Sequence, residues 1–251
     1  MTMKESKPIV IAHRGGSDWA PENTIAAFRK ALEFGVDGIE LDVQRCRSGE
    51  LVLFHDPDIG RTTNGVGLIK DICYAELKRI SAGLWFDEEF RGEHVPLLSE
   101  VLELIDGKVI LNIELKNTPI EYPGIEGELL ELLKNYAHCD KVIISSFDHQ
   151  IICNIHERAP HLRLALLADA LLVDLPAYAE RIGATVWHPR IDTLRADSVA
   201  QAQAAGLQVC AWTLNDARKW EYALRIGLDG IVSDDPLGLM NFLERASRVK
   251  D

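Results

Sequence analysis

Short apolar runs alternate with amphipathic helical stretches along this 251-residue chain, and that alternation limits the fold more than any other feature. The apolar runs fall at 9–12, 38–43, 109–115, 141–146, 162–167, 185–188, 207–212 and 230–233. Helical patterns lie between them. The first has Asn23 as its expected N-cap, Ile25, Phe28 and Leu32 on one face and Gly35 at its end. Others are expected at 99–105 with Ser99 as cap, at 126–136 and at 148–157, and from near Asp174, Arg195, Asp216 and Pro236. Strands separated by helix-length crossovers pair in parallel. Eight such repeats predict an α/β chain folded as one (β/α)8 TIM barrel, a single domain over residues 1–251.

One apolar run breaks the rhythm. Leu51 to Phe54 follows the second strand after only Arg45-Cys46-Arg47-Ser48-Gly49-Glu50. That is too short for a parallel crossover, which needs a dozen residues or more. A hairpin arm branching from the second strand is expected instead, bringing His55 back beside Glu40. The stretch from Asp56 to about Gly107 is then long for a barrel connection, and an excursion of that length at the active face is expected to form a lid or a small subdomain.

Composition removes several classes of function. A formal charge of −12 speaks against nucleic-acid binding, which needs basic surface to neutralise phosphates. The five cysteines (Cys46, Cys73, Cys139, Cys153 and Cys210) are scattered and form no CxxC pair, so neither a disulfide framework nor a zinc ribbon is indicated. No run reaches transmembrane length, and MTMKESKP carries no apolar leader. A cytoplasmic protein without stable membrane insertion is expected.

In a TIM barrel the residues at the C-terminal strand ends converge on one site. Here they are His13 and Arg14, Glu40 and Asp42, Glu114 and Lys116, then Ser146 and Phe147, His188, Trp212, and Ser233 with Asp234. In Gly38-Ile39-Glu40-Leu41-Asp42-Val43 the period of two sets both acids on one face. Buried acids are costly unless paired or bound to a metal. Glu40, Asp42 and Glu114 make an oxygen-donor set suited to Mg²⁺ or Ca²⁺ and lack the His or Cys content of a zinc site. Arg14 and Lys116 supply the local positive charge for an anionic substrate, and His13 and His55 an acid and a base. Gly15 and Gly16 would let backbone approach a bound anion. Trp212 could flank the substrate, and Trp85 with Phe86 is a candidate for the substrate mouth or for local packing. His188 ends a strand and is weighed for a site role. His94, His138, His149, His156 and His161 are read as surface or loop histidines.

The ordered motifs HRGG (13–16), PENT (21–24), IELDV (39–43), LFHD (53–56), IELK (113–116), AWT (211–213) and DGIVSDDP (229–236) resemble those of the glycerophosphodiester phosphodiesterases, within the phospholipase-C-like phosphodiesterase superfamily. The likeness runs from about Ile9 to Phe242 and implies that residues of about 56 to 97 form a small insertion over the active-site face. It implies metal-dependent hydrolysis of glycerophosphodiesters to sn-glycerol 3-phosphate and an alcohol. His13 and His55 are implied as catalytic, Arg14, Lys116 and Trp212 as substrate- or phosphate-binding, and Glu40, Asp42 and Glu114 as holding the divalent cation. The turn at 45–49 departs from the family's usual Thr and Asp-Gly, and Ser233 stands where Thr is frequent. Neither touches the implied chemistry. The rival readings are a lysophospholipase D-type phosphodiesterase on the same fold, which needs an acyl channel, and a non-catalytic binding protein. A zinc amidohydrolase would carry an HxH pair on its first strand, which is absent here.

Overall fold

A computed structural model describes residues 7–248. Its strands are β1 (Ile9–Ala12), β2 (Gly38–Arg45), β3 (Leu51–Leu53), β4 (Ile110–Leu115), β5 (Val142–Ser146), β6 (Arg163–Ala168), β7 (Val186–Pro189), β8 (Gln208–Ala211) and β9 (Gly230–Ser233). All except β3 pair in parallel, in the order β1-β9-β8-β7-β6-β5-β4-β2, and β1–β2 pairing closes the ring. The expected (β/α)8 TIM barrel is therefore the observed fold.

The helices are α1 (Ile25–Phe34), α2 (Tyr74–Leu77), α3 (Leu98–Ile105), α4 (Ile125–Leu133), α5 (His149–Arg158), α6 (Leu175–Ile182), α7 (Ala196–Ala204), α8 (Ala217–Ile226) and α9 (Pro236–Arg248). All but α2 surround the barrel. Their apolar stripes pack against the outward strand positions, so Phe28, Leu98, Leu129, Ile152, Val199 and Leu239 share one core with Leu41, Ile113, Ile144 and Val209. Among the described residues no helix is long and apolar enough to cross a membrane.

Inward positions form two layers. The lower is apolar: Ile11, Ile143, Ala165, Val186, Cys210 and Val232 fill the barrel. Gly230 makes room there, because a Cβ on it would stand 2.7 Å from Cys210 Sγ and 2.8 Å from Ile9. The layer above is polar, since each strand moves two residues along and the same face now carries Glu40 and Asp42, Asn112 and Glu114, Ser145 and His188.

The hairpin arm behaves as its short turn requires. β3 pairs antiparallel with β2, with Val43 opposite Leu53 and Arg45 opposite Leu51, and lies outside the ring. The excursion that follows has a small core of its own, in which Val52 and Phe54 meet Ile59, Ile69, Leu77, Ala82 and Val95. It returns beside β3, where Leu53 N–H donates to the Pro96 carbonyl at 2.9 Å.

Two expected caps are displaced. Thr24, rather than Asn23, is the N-cap of α1 and accepts from Ala27 N–H. Asn23 is left-handed (φ 57°), a conformation asparagine tolerates, and its side chain is engaged elsewhere. Ser99 lies inside α3, which starts at Leu98. There the Glu100 carboxylate closes the end by accepting from Leu97 N–H at 2.8 Å.

Candidate functional site

Strand ends and the loops that follow them meet above the apolar layer from all around the barrel. His13, Arg14, Glu40, His55, Asn112, Glu114, Lys116, Phe147, Leu167, His188, Trp212, Thr213 and Val232 line a cavity of about 100 Å³. Seven of the eight residues singled out in the sequence are on that wall, and Asp42 lies directly behind it, 1% exposed.

The acidic centre follows from register. Asp42 pairs with Glu114 across β2 and β4, and Glu40 sits one inward step below Asp42. Glu40, Asp42 and Glu114 each offer an oxygen within 4.8 Å of the others. Such crowding raises the cost of a full complement of negative charge. Burial and the neighbouring Asp42 push the Glu40 carboxyl up to about 8. Burial also raises Glu114, against the pull of Lys116. For Asp42 the balance reverses: burial opposes ionisation, but Arg14 and Lys116 hold it well below the usual carboxylate range. Asp42 Oδ1 is buried without a hydrogen-bond partner, with Lys116 Nζ at 3.6 Å. Three converging carboxylates, one oxygen still unpartnered and no thiolate among them suit an oxygen-preferring divalent cation. The cluster could hold one.

Two histidines of the wall, His13 and His55, are each held by a carboxylate. His13 Nδ1 lies 2.6 Å from Asp234 Oδ1, and His55 Nδ1 lies 2.6 Å from Asp56 Oδ1. Burial opposes ionisation of Asp234, yet its bond to His13 holds it well below the usual range. Asp56 is likewise lowered, burial notwithstanding, by Arg61 and His55. Both carboxylates are therefore acceptors at neutral pH, so each Nδ1 carries the proton it donates. That leaves His13 Nε2 toward Glu40, 3.9 Å from Oε2. Burial disfavours charge on His13, but the Asp234 bond and the charge of Glu40 outweigh it and raise its pKa.

Arg14 and Lys116 are the cations of the wall. Arg14 is left-handed at φ 50°, an uncommon conformation for a side-chain-bearing residue, and its N–H donates to Glu40 Oε2 at 3.0 Å. Its guanidinium reaches Glu22 at 2.9 Å and Asp42 at 3.2 Å. Lys116 Nζ donates to Glu114 at 2.7 Å. Arg61, from the insertion, donates Nη1 and Nη2 to the two oxygens of Glu22 at 2.9 and 2.7 Å, and Nε to Asp56. Arg14, Glu22, Arg61, Asp56 and His55 thus form one unbroken chain of hydrogen bonds.

The other residues noted in the sequence are placed as follows. Gly15 and Gly16 have φ values of 86° and 94°, and a Cβ would meet Ala27 at 2.8 Å and the Trp19 ring at 2.3 Å respectively, so both positions need glycine. Trp85 and Phe86 do not line the cavity. Phe86 packs with Ala20, Ala27 and Phe90 against α1, and Trp85 stacks edge-on against Phe86. Ser146 Oγ donates to the Leu115 carbonyl and Ser233 Oγ to Asn215, so both brace loops. Trp212 lines the cavity edge-on to Phe147 and donates Nε1 to the His188 carbonyl at 2.8 Å.

Sequence reasoning missed Asn23, whose Nδ2 donates to Asp42 Oδ2 at 2.9 Å and whose Oδ1 accepts from Asp42 N–H at 3.2 Å. It also missed Glu22, Asp56, Arg61 and Asn112, and the bond from Asp234 to His13. Asp234 is further gripped by Ser17 and Asn215 at 2.6 Å each. The signal for most of these was proximity to a noted motif: Glu22 and Asn23 lie in PENT, Asp56 in LFHD and Asp234 in SDDP.

A family model described as the glycerophosphoryl diester phosphodiesterase family matches residues 13–237. A glycerophosphodiester phosphodiesterase from Caldanaerobacter subterraneus subsp. tengcongensis is 43% identical over 240 residues, covering 95% of this chain and 99% of its own. Among solved structures, an Oleispira antarctica phosphodiesterase in complex with the product sn-glycerol-3-phosphate has a TM-score of 0.88 at 32% identity, over 94% of this chain and 97% of its own. A putative glycerophosphodiester phosphodiesterase from Galdieria sulphuraria has a TM-score of 0.86 at 29% identity, over 95% of this chain and 98% of its own.

Proposed function

The chain belongs to the glycerophosphoryl diester phosphodiesterase family and is a phosphoric diester hydrolase; from that premise we propose that it cleaves glycerophosphodiesters to sn-glycerol 3-phosphate and an alcohol, in the cytoplasm, with Mg²⁺ or Ca²⁺ held by Glu40, Asp42 and Glu114. The observation that carries this reading is the meeting, on one cavity, of three buried carboxylates within 4.8 Å with two carboxylate-held histidines and two cations.

The bound cation supplies Lewis acidity toward the phosphodiester and offsets its charge. The protein's own groups do the rest. Arg14 and Lys116 stabilise negative charge that builds on the phosphoryl oxygens. Both already face carboxylates, which keeps them fixed before substrate arrives. Trp212 and Phe147 wall the side of the cavity away from the acids and exclude water there.

The two histidines divide the proton work. His13, whose pKa is raised by Asp234 and Glu40 despite burial, is assigned to protonate the departing alkoxide. His55 takes the proton from the attacking hydroxyl, whether of water or of the glycerol itself. In each case the Nδ1 bond to a carboxylate fixes the tautomer and presents Nε2 to the substrate.

The test is direct. Purified protein should release sn-glycerol 3-phosphate from glycerophosphocholine, lose that activity to a chelator and regain it with Mg²⁺ or Ca²⁺. Absence of hydrolysis with either cation would remove the reading.

A further inference from the structure

The polar atom that this chemistry leaves unused is His188 Nε2. His188 is 1% exposed at the end of β7, lines the cavity, and its Nε2 is buried without a hydrogen-bond partner. Buried polar groups in folded proteins are nearly always paired, and one that is not calls for an explanation. The wall around it is otherwise apolar: Phe147, Leu167, Trp212 and Val232, with Thr213. Trp212 is no alternative donor, since its Nε1–H is already given to the His188 carbonyl. On the β4 side, Asn112, another residue of the cavity wall, has its Oδ1 buried without a partner.

Burial and the charge of Arg163 lower His188 to about 4, so it is a neutral imidazole at physiological pH, with one N–H and one lone pair. A hydroxyl both donates and accepts, and matches either tautomer. An ester or ether oxygen only accepts. The cavity, about 100 Å³, is well below the roughly 300 Å³ at which drug-sized ligands are housed. It suits a short uncharged arm.

We propose that His188 is a specificity-determining residue that hydrogen-bonds the terminal hydroxyl of the substrate's glycerol arm. It thereby selects diesters whose glycerol carries that hydroxyl free over those acylated at it. The terminal hydroxyl is the one farthest from the phosphate, hence from the charged residues, and reaches the uncharged wall. The inference rests on the phosphodiesterase reading and deepens it by naming what the site accepts.

The experiment compares kcat/KM of wild type, His188→Leu and His188→Gln on three substrates: glycerophosphocholine, its analogue with the terminal hydroxyl replaced by hydrogen, and 1-acyl lysophosphatidylcholine. Wild type should favour glycerophosphocholine over the deoxy analogue by roughly 10²-fold or more, as sites built to bind a hydroxyl do. In His188→Leu that preference should shrink to within about threefold, the loss falling on glycerophosphocholine alone. His188→Gln, which keeps a donor and an acceptor, should retain much of it. An unchanged ranking in His188→Leu would mean that the imidazole faces only water, and overturns the proposal. Parallel losses on all substrates with a lowered melting temperature in both variants would assign it to packing, and overturn it as well. A wild-type protein active on none of them would overturn the phosphodiesterase reading and this inference together, a result visible before any variant is made.

Discussion

The two sides of the cavity are built from the same barrel and carry opposite chemistry. β1, β2, β4 and the hairpin arm contribute His13, Arg14, Glu40, His55, Glu114 and Lys116, with Asp42 behind them. β5 to β9 contribute Phe147, Leu167, His188, Trp212, Thr213 and Val232. On the first side each charged side chain and each histidine is held by at least one other residue, which fixes its position. On the second, aromatic and aliphatic side chains surround one neutral imidazole. A phosphodiester has the same division, an anionic centre and an uncharged arm. On the proposed reading the barrel would sort the two by angular position around its axis.

The charged side should show the largest effects. Chelation, or Glu40→Gln, Asp42→Asn or Glu114→Gln, removes or weakens a cation contribution worth several kcal/mol, so kcat/KM should drop by at least roughly 10³-fold. Calorimetric titration with Mg²⁺ or Ca²⁺ should show weakened binding in the same three variants. Full activity after exhaustive chelation would collapse the distinction between the two sides.

Next come the histidines. His13→Ala and His55→Ala should each cost roughly 10² to 10⁴ in rate, and the double variant should be little worse than either, because residues acting as a unit are not additive. A nitrophenyl ester leaves without protonation, so it should restore His13→Ala and leave His55→Ala inactive. The reverse pattern would exchange the acid and base roles.

The uncharged side predicts a dependence on pH rather than on metal. The folded chain keeps His188 neutral down to about 4, whereas unfolded histidine has a pKa of 6.5. Between those values the unfolded state binds the extra proton, so stability is complete above 6.5, falls with pH through this window and levels off below about 4. The contribution is ~3 kcal/mol from 1.36 kcal/mol per pKa unit. Denaturant melts of wild type and His188→Gln from pH 7.5 to 4 isolate it by difference. Equal pH slopes would show that the imidazole titrates normally.

The smallest effect belongs to the insertion's aromatics, which lie on neither side. Trp85→Ala and Phe86→Ala should lower stability by about 1–2 kcal/mol each through lost packing and leave the ranking of glycerophosphodiesters unchanged. A changed ranking without a change in melting temperature would extend the site to the insertion.

The charged side was also the more legible in the sequence. Carboxylates at alternate positions of an aliphatic strand, as in Ile39-Glu40-Leu41-Asp42-Val43, announce an inward polar face, and six residues between two apolar runs can only be a hairpin. The pairings were not legible. His13 and Asp234 are 221 residues apart, and nothing local says which acid of Ser233-Asp234-Asp235 turns inward. Asp235 instead accepts from Gly238 N–H at the start of α9. Asn23 was misplaced for a similar reason: an asparagine just before an amphipathic helix satisfies the rule for a cap, and only the contact with Asp42 across the chain decides otherwise. On the uncharged side, His188 is one polar residue in an apolar strand, and its setting emerges only when the opposite wall is in view.

Arg61 has a practical consequence for anyone recombining members of this family. It belongs to the insertion, yet it holds both oxygens of Glu22, the residue that also holds Arg14, and it holds Asp56 beside His55. A loop exchange cut at 56 and 97 that brought in a segment without this arginine would leave Glu22 with Arg14 alone and Asp56 with His55 alone. Chimeras should therefore treat Glu22, Asp56 and Arg61 as one inherited unit, although they lie on different segments of the chain.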